Sequence, residues 1–362
     1  MNLSNQFKSL AKQTIERSTN IKYHYDSNNV AKKVLRQVEL EKGKLSSNSK
    51  KTALEYAHEV LGWKGFAPWL YVYTHIYGQF MEGWLPDNYY GRIVLPKIQG
   101  DYGKISFLKP FTNKVFNESV CPDLAYCING QWFSKEYEIK TTEQINTLIV
   151  KDQTYNNNMV INKLDHSYQG KGIRVYNKDS FDANKVRKNG NGVIQPFISQ
   201  HEFFNEFTKG AIATLRFTTV IDNSGEASLR ASFIRLGRNK QTHVQSSNQI
   251  IVPINNTTGK LAEIGYDNTY KSMNAHPDTK ATFENKTIPF YHDCVKMVLD
   301  LQNKMPMIKL IGWDVIVDNK NKLVLMEWNG YGTGIAFSEA TQGPSFSDLG
   351  WSGFYKKNKL NF

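Results

Sequence analysis

The chain has 362 residues, of which 40% are hydrophobic and 22% charged, which suits two or three globular domains and excludes a disordered or fibrous protein. Its formal net charge of +12 points to acidic partners such as nucleotides, nucleic acid, an anionic membrane or an acidic polymer. The three cysteines, Cys121, Cys127 and Cys294, form no CxxC pair, which favours a reducing compartment and argues against a disulfide framework or a cysteine-built zinc centre. The opening residues lack the apolar core of a signal peptide. The most apolar run, Phe66–Phe80, is broken by Pro68, His75 and Gly78 and is too short to span a bilayer. A soluble, cytoplasmic protein is expected.

In chain order, residues 1–62 read as helices. Leu3, Phe7, Leu10 and Ile15 recur at near-helical spacing among lysines and arginines, and Val30, Val34, Val38 and Leu40 continue the pattern. Gly43–Lys51 reads as a flexible charged connector and Thr52–Leu61 as a further helix. The stretch GWKGFAPWLYVYTHIYGQFMEGWLPDNYY from Gly62 is dense in aromatic residues. It is expected to pack as helix and loop against the next domain; the other reading is an aromatic, basic surface that docks a membrane or polymer. From Ile93 the texture turns to strand, turn and helix. YCINGQWF, with Asn-Gly at its bend, NMVINKL, GIRVY and GVIQPFI are strand signals, and Thr142–Leu148 is a short amphipathic helix. AIATLRFTTVI, SLRASFIRLG and QIIVPI follow, then a helix at Tyr291–Asn303. The class is α+β with mostly antiparallel sheets.

The last strand pair, IGWDVIVD and KLVLMEWN, flanks the polar turn Asn319–Lys322. A turn centred on Lys320 and Asn321 sets Asp314 opposite Glu327 and Trp313 opposite Trp328. Ile316, Leu323 and Leu325 then share the carboxylate face, and Val324 and Met326 the tryptophan face. Both faces are mostly apolar, so a hairpin buried on both sides is expected. Facing carboxylates have β-carbons roughly 5 Å apart and repel in a dry site unless one is protonated or a cation joins them. Asn329 adds a neutral oxygen on the same side, and such a set suits Mg²⁺. Solvated or lysine-paired carboxylates at strand ends are the alternative.

Other residues carry weaker signals. Lys163 sits in an apolar strand, where an amine is costly unless it meets an anion. Gly170, Lys171 and Gly172 form a loop whose backbone N–H groups could converge on phosphate, or else an ordinary hairpin bend; no Walker A loop is present. The proline of VIQPFISQHE suits an edge or linker strand. Arg216, Arg230 and Arg235 lie in strand-like runs, and Arg216 is expected to be partly buried against an anion, structural or substrate-borne. His276, in the loop NAHPDTK, reads as a loop histidine that could reach a site.

Taken together, these residues resemble the ATP-grasp superfamily from about Thr112 to Gln342. Asn113-Lys114 looks like the Asp-Lys step of the first lobe, with Asn in place of Asp. Lys163 falls where the second nucleotide lysine is placed, and DHSYQGKGIRV looks like the phosphate loop. Gln195, Phe197 and Ile198 match the adenine-reading strand, Glu202 the ribose carboxylate, and Asp314, Glu327 and Asn329 the D…ExN magnesium set. QPFISQH, TLRFTTV, the AHPD loop and the IGWDVIV–LMEWNG pair are similar to the sugar-transfer associated branch, linked to capsule and exopolysaccharide biosynthesis. The aromatic segment looks like that branch too.

The resemblance implies an ATP-grasp fold of two α+β lobes, at residues 101–192 and 193–362, behind a helical, aromatic region at residues 1–100. It implies an ADP-forming carboxylate–amine ligase using ATP and one or two Mg²⁺ ions. Lys114, Lys163 and the GKG loop would hold phosphates, and Arg216 and Arg235 would steady an acyl phosphate. The implied substrates are an acidic carboxylate, such as a uronic acid, and an amine, such as an amino acid, and no nucleic acid is expected. An ATP-grasp phosphotransferase and a non-catalytic polyanion binder are the rivals, and the oligomeric state is open.

Overall fold

The computed structural model describes residues 3–355 apart from 156, 168–169, 209 and 239–247, with side chains described from residue 14 onward. The chain divides into two compact units. The first comprises Met1–Gly100, Thr269–Lys271 and Gly334–Phe362; the second comprises Asp101–Asn268 and Ser272–Thr333.

The first unit is helical. Residues Leu3–Lys42 form one continuous helix rather than several. A second helix, Ser47–Glu59, begins inside the stretch expected to be a flexible connector, because Ser46 caps it by accepting from the Ser49 backbone N–H at 3.1 Å. A third, Ala67–Tyr77, carries Pro68 in its first turn, where the missing N–H costs nothing, and stops at Gly78 with φ +98°. The aromatic segment that follows is interior. Trp69, Tyr73, Trp84 and Tyr89 are buried, the Trp84 Nε1–H donates to the Glu339 carbonyl at 2.8 Å, and the Tyr89 hydroxyl to the Trp351 carbonyl at 3.0 Å. Trp84 and Tyr89 are thereby tied to the chain's own C-terminal residues, while Trp69 donates to Ser27 and Tyr73 to the Leu85 carbonyl, so these rings are not available as a docking surface.

Glu339 is fully buried in this unit, accepting from the Leu85 and Ser345 backbone N–H groups, each at 2.8 Å. Burial pushes its carboxyl up to about 8 against the pull of those two donors. A carboxyl raised on folding holds its proton longer in the native state, so stability falls as pH rises from the unfolded value near 4.5 to about 8. Urea midpoints at the two ends of that window should therefore differ in favour of the acidic end, and Glu339→Gln should remove much of the slope.

The second unit is built from two antiparallel sheets. The first comprises β1 (Ala125–Ile128), β2 (Gln131–Ser134), β3 (Ile139–Lys140), β4 (Met159–Leu164), β5 (Ile173–Asn177) and β6 (Gly192–Pro196), in the order β3-β2-β1-β6-β4-β5. The second comprises β7 (Thr214–Ile221), β8 (Ala227–Gly237), β9 (Gln249–Pro253), β10 (Gly265–Asp267), β11 (Ser272–Met273), β12 (Leu310–Val317) and β13 (Leu323–Asn329), in the order β11-β10-β9-β8-β7-β12-β13. The Asn129-Gly130 bend between β1 and β2 has φ of +51° and +77°, as a tight antiparallel hairpin requires. The helix Thr142–Lys151 packs Ile145 and Ile149 on the first sheet with Ala125, Cys127 and Ile194. The helix Tyr291–Asn303 packs Cys294, Val298 and Leu301 on the second with Phe217 and Ile234.

The β12–β13 register pairs Asp314 with Glu327 and Trp313 with Trp328, as expected, but Val315 pairs with Leu325 rather than Met326. One extra residue is taken up as a bulge next to Glu327, and beyond it the alternation reverses. Leu323 and Leu325 consequently join Trp313, Val315 and Trp328 in the main core. Val324 and Met326 join Ile316 and Ile198 on the carboxylate side, which corrects the expected faces of residues 323–326.

Candidate active site

β12 is an interior strand one place from the sheet edge, with the edge strand β13 on one side and β7 on the other. Asp314 is therefore flanked by Glu327 and by Arg216, its register partner on β7. The Arg216 guanidinium grips Asp314 bidentately, Nε to Oδ1 at 2.7 Å and Nη2 to Oδ2 at 2.8 Å, and both side chains are more than 90% buried. Gly312 makes the grip possible: a Cβ there would lie 2.8 Å from Arg216 Nη1. Arg235 on β8 reaches Asp314 Oδ1 at 3.4 Å, and its buried Nε has no partner. Burial alone would raise the Asp314 carboxyl, but the two guanidinium groups outweigh it and hold it below the ordinary range. Burial and the neighbouring Arg216 charge pull Arg235 down to about 10, so it stays cationic at neutral pH.

Across from this pair, Lys163 on β4 is buried, and its ammonium donates to the Met326 carbonyl at 3.1 Å. The bulge beside Glu327 thus presents a carbonyl to a buried cation. Burial pulls the Lys163 amine below its ordinary value, while Glu327 and Asp123 among its neighbours act against that pull. Gln195 on β6 donates through Nε2 to Asp123 Oδ1 at 2.6 Å, leaving its buried Oε1 without a partner. Lys163, Gln195, Met326, Glu327 and Lys109 line one small cavity.

Lys109, absent from the sequence-based set, pairs with Glu327 Oε1 at 2.9 Å with only 11% of its side chain exposed, and its backbone N–H donates to Asp165. The only sequence cue is its place before Pro110 at the head of the segment that leads to Asn113-Lys114. Lys114 itself is exposed and sits over the Tyr137 ring, 4.9 Å from its centroid, rather than beside Glu327. Asn113 serves the backbone: it donates to the Cys121 carbonyl and Asp123 and accepts from the Cys121 N–H, all within 3.0 Å. Burial pushes Asp123 up to about 6 against the hydrogen bonds from Gln195 and Tyr126.

The remaining expected residues lie just after β6 and in the loop between β4 and β5. Ile198 belongs to the apolar cluster with Ile316, Val324 and Met326. With Phe197 and the exposed Glu202 it also lines a second cavity of about 670 Å³. That cavity is larger but has no lysine or arginine among its described lining residues, so the smaller one is where anionic chemistry belongs. Gly170 turns the loop at φ +79°, Gly172 leaves no room for a Cβ beside Ser167, and Lys171 is exposed; residues 168–169 of the loop lie outside the described residues. His276 is buried, its Nε2 against the Gly237 carbonyl at 3.1 Å and its Nδ1 accepting from the Asp278 and Thr279 N–H groups, so it fixes its own turn.

Four cations, Lys109, Lys163, Arg216 and Arg235, thus surround two carboxylates, Asp314 and Glu327. The surplus positive charge, the orphaned Nε of Arg235 and the orphaned oxygen of Gln195 together call for a ligand that is anionic at one end and hydrogen-bonding at the other. The donor set also fits a magnesium ion. Asp314 and Glu327 are cross-strand neighbours, and Asn329, register partner of Gly312, lies two residues beyond Glu327.

A family model for sugar-transfer associated ATP-grasp proteins matches residues 101–349, spanning the whole site. The chain belongs to the sugar-transfer associated ATP-grasp family. Its α+β architecture, with two antiparallel sheets, is the ATP-grasp fold. A comparison with curated proteins finds no match. Among solved structures, it is similar to N5-carboxyaminoimidazole synthetase from Staphylococcus aureus complexed with ADP, at 12% identity over 71% of this chain and 54% of that one, with a TM-score of 0.42. It is also similar to the biotin carboxylase domain of 2-oxoglutarate carboxylase from Hydrogenobacter thermophilus in complex with MgADP, ADP and bicarbonate, at 12% identity over 72% and 47% of the two chains, TM-score 0.38. The ATP-grasp ligase PsnB complexed with minimal precursor matches at 10% identity over 70% and 61%, TM-score 0.39. The chain spans about half the length of the first structures that it matches. No helix among the described residues is long and apolar enough to cross a membrane.

Proposed function

We propose that this protein is an ATP-dependent, ADP-forming carboxylate–amine ligase that makes an amide through an acyl phosphate. Its activated acid would be an acidic sugar or polysaccharide precursor such as a uronic acid, and its amine an amino acid. The observation that carries the reading is the facing pair Asp314–Glu327 set among four cations, three on strands of the two sheets and Lys109 in the turn before Pro110, since phosphoryl transfer is catalysed mainly by positioning and charge neutralisation. Asp314, Glu327 and Asn329 would hold one or two Mg²⁺, which supply charge neutralisation on the phosphates. Lys163 and Lys109 would draw the phosphate oxygens, with the Gly170–Gly172 loop covering them. Gln195, Phe197 and Ile198 would receive the base through the orphaned amide oxygen and the apolar wall, and Glu202 the ribose.

Arg216 and Arg235 divide the work expected of them. Arg216 is committed to Asp314 and keeps that carboxylate ionised. Arg235, with an unpartnered Nε, is the arginine available to steady the acyl phosphate and the oxyanion that develops when the amine attacks. The +12 charge supports an acidic substrate, and the family match supports a role in polysaccharide biosynthesis. Incubation with ATP, Mg²⁺, a panel of uronic acids and amino acids should release ADP and phosphate with an amide product detected by mass. Release of AMP would sink the ligase reading, and a phosphorylated sugar without amide would reassign the protein as a phosphotransferase.

The two lysines give a separate check. Lys109→Ala should weaken nucleotide binding by about tenfold or more, as loss of a charge-assisted contact does. Lys114→Ala should change it by less than about twofold, the scale of an exposed charge. Titration with a fluorescent ATP analogue reads both.

A further inference from the structure

The long helix Leu3–Lys42 carries a second surface that the ligase reading does not use. Its inner face is built into the first unit: Ala31, Val34 and Val38 are buried, Ser27 accepts from the Trp69 indole at 2.8 Å, and Lys42 donates to the Ile76 carbonyl at 2.9 Å. The outer face is left with large apolar side chains in the open: Ile15 is 67% exposed, Ile21 68%, Tyr25 66% and Leu40 81%. At 3.6 residues per turn these four fall in one arc of about 120°, together with Lys22, Lys32, Lys33 and Arg36. All four cations are exposed, and none has an ion-pair partner among the described residues. The single acid on the arc, Glu39 at its edge, is 8% exposed and already taken by Lys44 and Lys50.

We propose that this face is a docking surface for an anionic lipid bilayer. Apolar side chains and unpaired cations interleaved along a helix that lies on a domain match an interface with acyl chains below and negative headgroups beside them. Ile15 and Leu40 are about 38 Å apart along the axis, so the helix would lie flat on the membrane. Charge selects lipid over a second copy of the chain, because two such faces would set four cations against four, with Glu39 already paired and the exposed Asp26 about 20° outside the arc. Nucleic acid would satisfy the lysines but leave the aliphatic side chains in water.

Co-sedimentation of the full chain with vesicles tests this. Binding is expected to phosphatidylcholine vesicles containing about 30 mol % phosphatidylserine, and not to pure phosphatidylcholine, and to fall steeply at about 0.5 M salt. Lys22→Glu/Lys32→Glu/Lys33→Glu/Arg36→Glu should lower vesicle affinity by about a hundredfold. Ile21→Ser/Leu40→Ser should lower it several-fold, with the circular dichroism spectrum and Tm of each variant unchanged. Wild-type protein that stays in the supernatant, binds neutral vesicles equally, or binds undiminished in either variant overturns the proposal. So does a dimer in sedimentation velocity that the charge-reversed variant abolishes, which would assign the face to a second copy.

Discussion

Arg216→Ala is expected to cost about 3–5 kcal/mol of stability, because it leaves the Asp314 carboxylate buried with its bidentate partner gone. Urea denaturation measures it as a lower midpoint at unchanged slope. The double variant Arg216→Met/Asp314→Leu removes both charges and should recover most of the loss, since a well-packed apolar pair is no worse than a buried ion pair. It should nonetheless be inactive, so the experiment separates what the pair does for the fold from what Asp314 does for the reaction. The pH dependence has a definite sign. Arg216 and Arg235 hold the Asp314 carboxyl below its ordinary value. Its contribution is therefore complete above the unfolded value near 3.8 and is lost as pH falls through the lowered one. The double variant should lack that acid-side loss.

Glu327→Gln should reduce turnover by about a thousandfold while leaving the fold intact. Glu327 is 36% exposed and pairs with Lys109 at 2.9 Å, so a neutral amide of the same shape fits the site without stranding a fully buried charge. What it removes is half of the facing carboxylate pair. The thermal shift produced by Mg²⁺ and ATP in the parent protein should disappear in this variant, while the unliganded Tm moves by no more than a degree or two. An undiminished Mg²⁺-ATP shift would show that Glu327 does not hold the metal. The pair of variants is informative together, since one tests a charge buried in the fold and the other a charge proposed to hold the metal.

The pairing of Asp314 with Glu327 followed from the turn position, because an antiparallel hairpin propagates its register outward from the bend. The bulge at Met326 did not follow. An extra residue in one strand has no composition signal of its own, and it reversed the faces of residues 323–326 while leaving Asp314 and Glu327 opposed. The choice between Lys109 and Lys114 was equally closed to sequence reasoning. The two lysines lie five residues apart, in the 3-10 turn Lys109–Phe111 and the short helix Thr112–Phe116 that follows it, and only the path of the backbone past Asp165 and Pro110 turns one toward Glu327 and the other toward Tyr137.

By itself the sequence determined the local features: most strands and hairpin turns, the helices at Thr142 and Tyr291, the α+β class, the facing carboxylates, the buried lysine of β4 and the order of motifs that marks the family. These depend on side-chain periodicity and turn chemistry, which act over a few residues. The tertiary structure decided the rest. It returned residues Gly334–Phe362 to the unit formed by the first hundred residues, buried the aromatic segment against them, committed Arg216 to Asp314 and left the Nε of Arg235 without a partner. Each of these is set by which distant surfaces exclude water together and which buried charges must find one another, and such pairings join positions hundreds of residues apart that no local pattern connects.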